Sequence, residues 1–312
     1  MTLVVRTIVL ALAWFACINA IGSVVAACLA YGFRDRRTAF RPSVLLGIRL
    51  LPSSMSLLFV GAMFLPAQWV WEPRDAEETL GLTLSMMAVA GAALLLRSAC
   101  RAAVTAWASH LVRRRSRPYR RGASDTYVVD GVPGVCLAGV VRPRILIGRN
   151  VEAELSRAEL EVAVAHEVAH RDAYDNLARW CILCAPDFLA GSRVASRLEH
   201  AWHAGVESRA DAKAIRGNRA RAVHLASALI KVARLSAEPA GRVSVPAWST
   251  LNDSDLLEWR VQRLLDGALP QVPSLSRLRL IATIFVISVW MVAPLLAGPV
   301  HHLTEALIAS LP

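Results

Sequence analysis

The chain has 312 residues, 55% of them hydrophobic, with 35 basic against 24 acidic residues and a formal net charge of +11. Its mean hydropathy of +0.43 is too apolar for an ordinary soluble domain and points to several membrane spans. Only Lys213 and Lys231 are lysines, so the positive charge is arginine with few aromatics interleaved, which argues against a nucleic-acid surface; the six scattered cysteines argue against a disulfide scaffold.

Crossing a bilayer takes ~20 apolar residues. Four stretches qualify, at about 8–29, 50–67, 80–96 and 278–297. The first is long for a signal-peptide core and runs into "YGFRDRR", so it reads as an uncleaved span. The link after it carries Arg34, Arg36, Arg37 and Arg41, whereas the next, "QWVWEPRDAEET", is acidic with two tryptophans suited to a membrane interface. After the third span come Arg97, Arg101 and the run "RRRSRPYRR" with no acid among them. Arginine-rich links stay cytoplasmic. The expected organisation is therefore a membrane part over 1–96 with three transmembrane helices, a cytoplasmic domain over 97–277, and a fourth transmembrane helix with a short outer tail over 278–312. Both termini lie outside, and the arginine run is a topology determinant, with no direct nucleic-acid binding expected.

The cytoplasmic segment opens with short extended pieces, "DTYVVDG" and "GVCLAGVVRPRILIG", and continues as helices. Ser156 followed by Glu159 is a capping-box signature before "LEVAVAHEVAH". Further helices are expected over about 199–216, stopping at Gly217, over about 220–235, and over "DLLEWRVQRLLDG", ending at Gly267. The fold class is mainly α and integral to the membrane, with a small β element in the soluble part. Cys181 and Cys184 form a C-x-x-C without the second pair a zinc ribbon needs, so they read as buried, inert thiols. The tail "GPVHHLTEALIASLP" reads as too short for a domain, with His301 and His302 solvated.

The stretch "AVAHEVAHRDAYDNL" carries the chemistry. Helical positions i and i+4 share a face, so His166 and His170 can hold one metal ion between them. Glu167 lies beside that face, placed to take a proton from water rather than to bind the ion. With a third ligand and one open position this is the arrangement of zinc hydrolysis, in which Zn2+ lowers the pKa of a water molecule. The third ligand is sought in "EHAWHAGVESRADAKA", where Glu199, His200, His203, Glu207 and Asp211 are all possible. Glu207 and Asp211 are spaced i, i+4, which suits Glu207 as ligand and Asp211 as the partner that fixes an imidazole's tautomer. His203 shares the same face as Glu207 and remains the rival ligand on spacing alone. His224, in the apolar "AVHLASALIKV", reads as a packing histidine.

The segment "RPRILIGRNVEAELSRAELEVAVAHEVAHRDAYDNL", with "ESRADAKA" after it, resembles the BlaR/MecR family of integral-membrane zinc metallopeptidases and the related HtpX and CAAX-prenyl-protease group, of gluzincin type. The resemblance covers about 139–265 and includes "LASALIKVAR" and "EWRVQRLLDG". It implies His166, His170 and Glu207 as zinc ligands, Glu167 as the catalytic base, and Asp175 and Asp211 as carboxylates behind the ligands. It implies a membrane-bound zinc endopeptidase acting in signal transduction on a cytoplasmic protein, such as a winged-helix repressor. Sensor members of that family carry a penicillin-binding domain after the last span, whereas this sequence stops there, so direct β-lactam sensing is not expected. The alternatives are an HtpX- or CAAX-protease-like quality-control or processing peptidase, and a non-enzymatic membrane adaptor with a structural zinc.

Overall fold

The computed structural model describes residues 3–32, 41–71, 81–115, 117–118, 126–130, 132, 134–237, 249–250, 256–267 and 296–310. The chain divides into two compact units: Met1–Ala99 with Ala185–Glu199 and Ser274–Pro312, and Cys100–Cys184 with His200–Pro273.

The described part of the first unit is helical apart from the turn over residues 185–192. Helix α1 (Leu3–Gly32) packs on α2 (Pro42–Leu58), which continues through a π-helical turn, Phe59–Phe64, into α3 (Leu65–Trp71). Helix α4 (Leu82–Arg115) begins here and runs on into the second unit. Among the described residues three helical stretches, Leu3–Gly32, Pro42–Trp71 and Leu82–Leu111, are long and apolar enough to cross a membrane. Their outer faces stay apolar, with Val4, Ile8, Val24, Val70 and Val89 exposed, where a water-soluble bundle would carry charge. The inner faces bury Leu10, Trp14, Phe64 and Leu84 together. A Cβ on Gly91 would lie 2.3 Å from the Leu12 carbonyl oxygen, so α4 approaches α1 only because that residue is glycine.

Three expectations about this unit change. The helix that carries the expected second span starts earlier, at Pro42, whose missing N–H suits the first turn of a helix, and it thereby includes Arg49. Helix α4 outruns the expected third span, so Arg97 and Arg101 are helix residues rather than the start of a link. The tail, read as too short for a domain and with His301 and His302 solvated, forms helix α11 (Ala297–Ser310), where Thr304 Oγ1 accepts from Trp14 Nε1 at 3.2 Å and Glu305 pairs with Arg6 at 3.3 Å. His301 is half-buried there and His302 exposed. The expected fourth span falls outside the described residues except for its last two positions.

Arg49 is 2% exposed and reaches Asp187 Oδ2 at 2.8 Å and Glu199 Oε1 at 2.6 Å. Ser53 Oγ also donates to Asp187 Oδ2, at 3.2 Å. Asn19 donates to the Pro186 carbonyl at 2.8 Å and accepts from the Phe188 N–H at 3.1 Å, while Arg97 donates to the Asp187 carbonyl at 2.7 Å. The turn around Asp187 is thus held by polar groups from α1, α2 and α4, and the desolvated guanidinium is paired, as burial demands.

The second unit joins a small sheet to a helical layer. The described strands are β1 (Arg117–Pro118), β2 (Thr126–Val129), β3 (Val135–Ala138), β4 (Arg144–Gly148) and β5 (Ser249–Thr250), in the order β1-β2-β4-β3-β5. Strands β2, β4 and β3 form its body, and β1 and β5 are two-residue edge ladders; β2 runs parallel to β4 and the other pairs are antiparallel. Val135, Leu137, Ile145 and Ile147 face one core, and Val129, Cys136, Ala138 and Leu146 face another. Burial on both faces explains why "VCLA" and "RILIG" carry no polar alternation. A Cβ on Gly148 would sit 2.0 Å from the Val132 carbonyl oxygen, so glycine is required where β4 hands over to α5 (Arg149–Glu154).

The helices that follow are α6 (Arg157–Ala173), α7 (Asp175–Cys184), α8 (Arg193–Ile215), α9 (Arg219–Ala237) and α10 (Leu257–Asp266). Helix α8 begins ahead of the expected position, and α10 ends at Gly267 in the left-handed region, φ 71°. Val162 and Ala163 of α6 pack against Leu225, Leu229 and Val232 of α9. The free thiols Cys181 and Cys184 lie on α7. At the end of that helix Arg101 donates to the Leu183 carbonyl at 3.2 Å, one of the acceptors a helix terminus leaves open.

Candidate metal centre

Helix α6 is pinned at its N-terminus. Ser156 accepts from the Glu159 N–H at 3.3 Å, and Glu159 accepts from the Ser156 N–H at 2.7 Å, completing the capping box. Glu159 also accepts from Ser227 at 2.6 Å and Lys231 at 2.9 Å on α9. These donors outweigh the effect of burial and hold its carboxyl down at about 2.

One turn apart on α6, His166 and His170 turn their Nε2 atoms to within 2.9 Å of each other. From α8, Glu207 places Oε2 3.3 Å from His166 Nε2 and Oε1 3.5 Å from His170 Nε2. Each imidazole is held from behind by a carboxylate: His166 Nδ1 lies 2.9 Å from Asp211 Oδ1, and His170 Nδ1 lies 2.8 Å from Asp175 Oδ2. Asp175 reaches back because Tyr174 ends α6 in the left-handed conformation, φ 59° and ψ 34°. With His170 Nδ1 hydrogen-bonded to Asp175 and His166 Nδ1 set close against Asp211, the two Nε2 atoms face the space beside Glu207. All these side chains are buried, Glu167 included at 0% exposed.

His166, His170 and Glu207 could hold a metal ion, their ligand atoms all lying within 4.8 Å of one another. Two imidazole lone pairs facing each other at 2.9 Å repel unless a proton or cation lies between them. Ligands of a small first-row ion, at ~2.0–2.1 Å from it in a tetrahedron, are separated by about 3.3 Å. The observed spacings bracket that value. Charge agrees as well. Among the described residues this cluster holds the carboxylates of Glu167, Asp175, Glu207 and Asp211 and the guanidiniums of Arg209 and Arg260. Two further positive charges make it neutral, as one divalent cation supplies.

Without a metal the histidines take up that role as protons. Burial opposes their charge, but the hydrogen bonds to Asp211 and Glu207 raise His166, and Glu207 with Asp175 raises His170 to about 10. Burial would raise Glu207, yet Arg260 and His170 hold it well below the usual carboxylate range; burial opposes the charge of Asp211 as well, and Arg260 and His166 lower it.

The residues singled out in the sequence separate here. His166, His170, Glu207, Asp211 and Asp175 converge, and Glu167 lies buried beside them, close enough for its charge to act on His170. His203, the rival ligand, has Nε2 3.3 Å from Glu207 Oε1 and stands outside the converging triad. Glu199 pairs with Arg49 instead, His200 is exposed, and His224 is half-buried on α9. Arg260 and Arg209 were not foreseen. Arg260 Nη2 and Nε reach Asp211 Oδ1 and Oδ2 at 2.6 and 3.0 Å, its Nη1 lies 3.0 Å from Glu207 Oε2, and Arg209 pairs with Asp175. The signal for Arg260 was its place on the buried stripe of α10, between Leu256 and Leu264 at helical spacing.

No protein-family model matches the chain, and no curated protein matches it either.

Proposed function

We propose that the protein is a membrane-bound zinc endopeptidase that cleaves a cytoplasmic protein, a small DNA-binding repressor, in signal transduction. The observation that carries this reading is the convergence of two imidazoles and a glutamate, with each imidazole backed by a carboxylate and Glu167 adjacent. A His2Glu donor set is one of those that hold catalytic zinc. Zinc bound there supplies a Lewis acid that polarises a peptide carbonyl and lowers the pKa of a water molecule. Glu167 accepts the proton of the attacking water and passes it to the departing amine. Asp211 and Asp175 keep His166 and His170 in the tautomer that presents Nε2. The motif resemblance to BlaR/MecR peptidases supports the repressor as substrate, and the arginine-rich links support a cytoplasm-facing site.

Substrate trapping tests this. Full-length Glu167→Gln protein, compared with wild type, is expected to retain a winged-helix repressor that the wild type cleaves. Enrichment of misfolded membrane proteins instead would assign the chain to quality control, and equal cleavage by both forms would remove Glu167 from the mechanism.

The complete burial of Glu167, His166 and Glu207 favours a second reading, a membrane adaptor in which the metal only holds the fold. The two readings part on a hydroxamate inhibitor, which binds a peptidase centre with an open position and leaves a protein-closed site untouched.

A further inference from the structure

Behind the candidate ligands stand two arms of the same construction. In one, Arg209 holds Asp175, which holds His170; in the other, Arg260 holds Asp211, which holds His166. The arms are not equivalent. Arg209 is 18% exposed and, among the described residues, pairs with its carboxylate alone, whereas Arg260 is 1% exposed and reaches two acids at once. Its Nε and Nη2 form a fork on Asp211, and its Nη1 lies 3.0 Å from Glu207 Oε2. One planar group therefore ties a ligand itself to the support of another ligand. The residue comes from α10, on the same side chain stripe as Leu264, which is packed into the core with α6 and α9. Helices α6, α8 and α10 are thus fastened at a single point.

We infer that Arg260 is the positioning residue of the metal centre, fixing Glu207 directly and His166 through Asp211 so that the ligands are set before the ion arrives. This rests on the metal-centre reading above. Geometry, and not charge alone, is what the role requires. A lysine carries the same charge on a single atom and cannot fork across Asp211 while also meeting Glu207. Loss of a group behind a metal ligand typically weakens binding by about 10- to 100-fold.

The test uses full-length protein in detergent with Co2+ as the probe. Binding is followed by the visible ligand-field bands, and affinity by competition with a chelator. Arg260→Lys is expected to bind Co2+ about 10- to 100-fold more weakly, with shifted bands and an unchanged helical circular dichroism spectrum. Arg263→Gln on the same helix, whose guanidinium stacks on Trp259 at 4.5 Å, is expected to match wild type. Wild-type affinity and bands in Arg260→Lys would overturn the inference. Should that variant fail to fold, Arg260→Gln with Asp211→Asn removes both charges of the pair at once. A folded double variant with weak or altered Co2+ binding supports the positioning role, and one with wild-type binding overturns it. Wild type that takes up no Co2+ overturns the metal-centre reading itself, an outcome separate from these.

Discussion

Asp175 Oδ2 lies 2.8 Å from His170 Nδ1, although Asp175 belongs to the helix after the one that carries the histidine. The two meet because the chain reverses at Tyr174, and Arg209 steadies the carboxylate from the far side. Asp175→Asn keeps the shape and removes the charge. Chelator competition should show metal affinity lowered by about 10- to 100-fold. Asp172→Asn, which disturbs its surface pairs with Lys213 and Arg171, should leave it unchanged.

Tyr174 stores backbone strain. A bulky residue at φ 59° costs about 1–2 kcal/mol relative to glycine, and its side chain is 59% exposed. Tyr174→Gly should therefore lose little packing, and it should raise the midpoint of thermal unfolding, by about 1 kcal/mol of stability once the flexibility of glycine in the unfolded chain is deducted. A lowered midpoint would mean that the ring contributes more than its exposure indicates.

Proton release should accompany metal binding. His166 and His170 are both raised above the usual 6.5, His170 to about 10. An imidazole raised in the folded state contributes stability that is fully present below its unfolded value and is lost as pH rises through the folded one. The metal-free protein should thus lose stability between pH 6.5 and about 10. Metal affinity should climb over the same window, because the ion displaces those protons. Calorimetric titration near neutral pH, in two buffers of different ionisation heat, should report more than one proton released per ion. Release of none would contradict the assignment of the two imidazoles as ligands.

The buried pair Arg49–Asp187 gives a prediction away from the metal. Asp187→Ala leaves a guanidinium at 2% exposure with Glu199 as its remaining partner among the described residues. Breaking a buried pair costs roughly 3–5 kcal/mol, and Glu199 should hold the loss near the lower figure. Arg49→Met with Asp187→Leu removes both charges and should restore most of it. Thermal unfolding in detergent distinguishes the two; equal losses in both would show that the turn is held by Asn19 and Arg97 rather than by the ion pair.

Local spacing made the centre of the site legible. His166 and His170 at i, i+4 and the box of Ser156 and Glu159 are helix-periodic signals whose meaning does not depend on distant parts of the chain. The rivalry of His203 and Glu207 was not resolvable that way, since both share one face of α8 and only packing against α6 decides which converges. Arg260 escaped notice because an arginine in an amphipathic helix reads as a solvated charge until its partners are known. Arg49 was placed before its span because hydropathy penalises a charge that Asp187, far along the chain, makes tolerable. The length of α4 was underread for the same reason: Arg97 and Arg101 look like the end of an apolar run, yet each finds a carbonyl to hold.

The proposed peptidase activity requires that His166, His170 and Glu207 hold a zinc ion and that Glu167 serve as the base beside it. Wild type and Glu167→Gln, purified full-length in detergent and loaded with zinc, should be compared for metal content and for cleavage of the trapped repressor in one experiment. The expected result is one zinc per chain in both and cleavage by wild type alone. Cleavage by Glu167→Gln at the wild-type rate, or wild type that holds zinc and never cleaves the protein it binds, would contradict it.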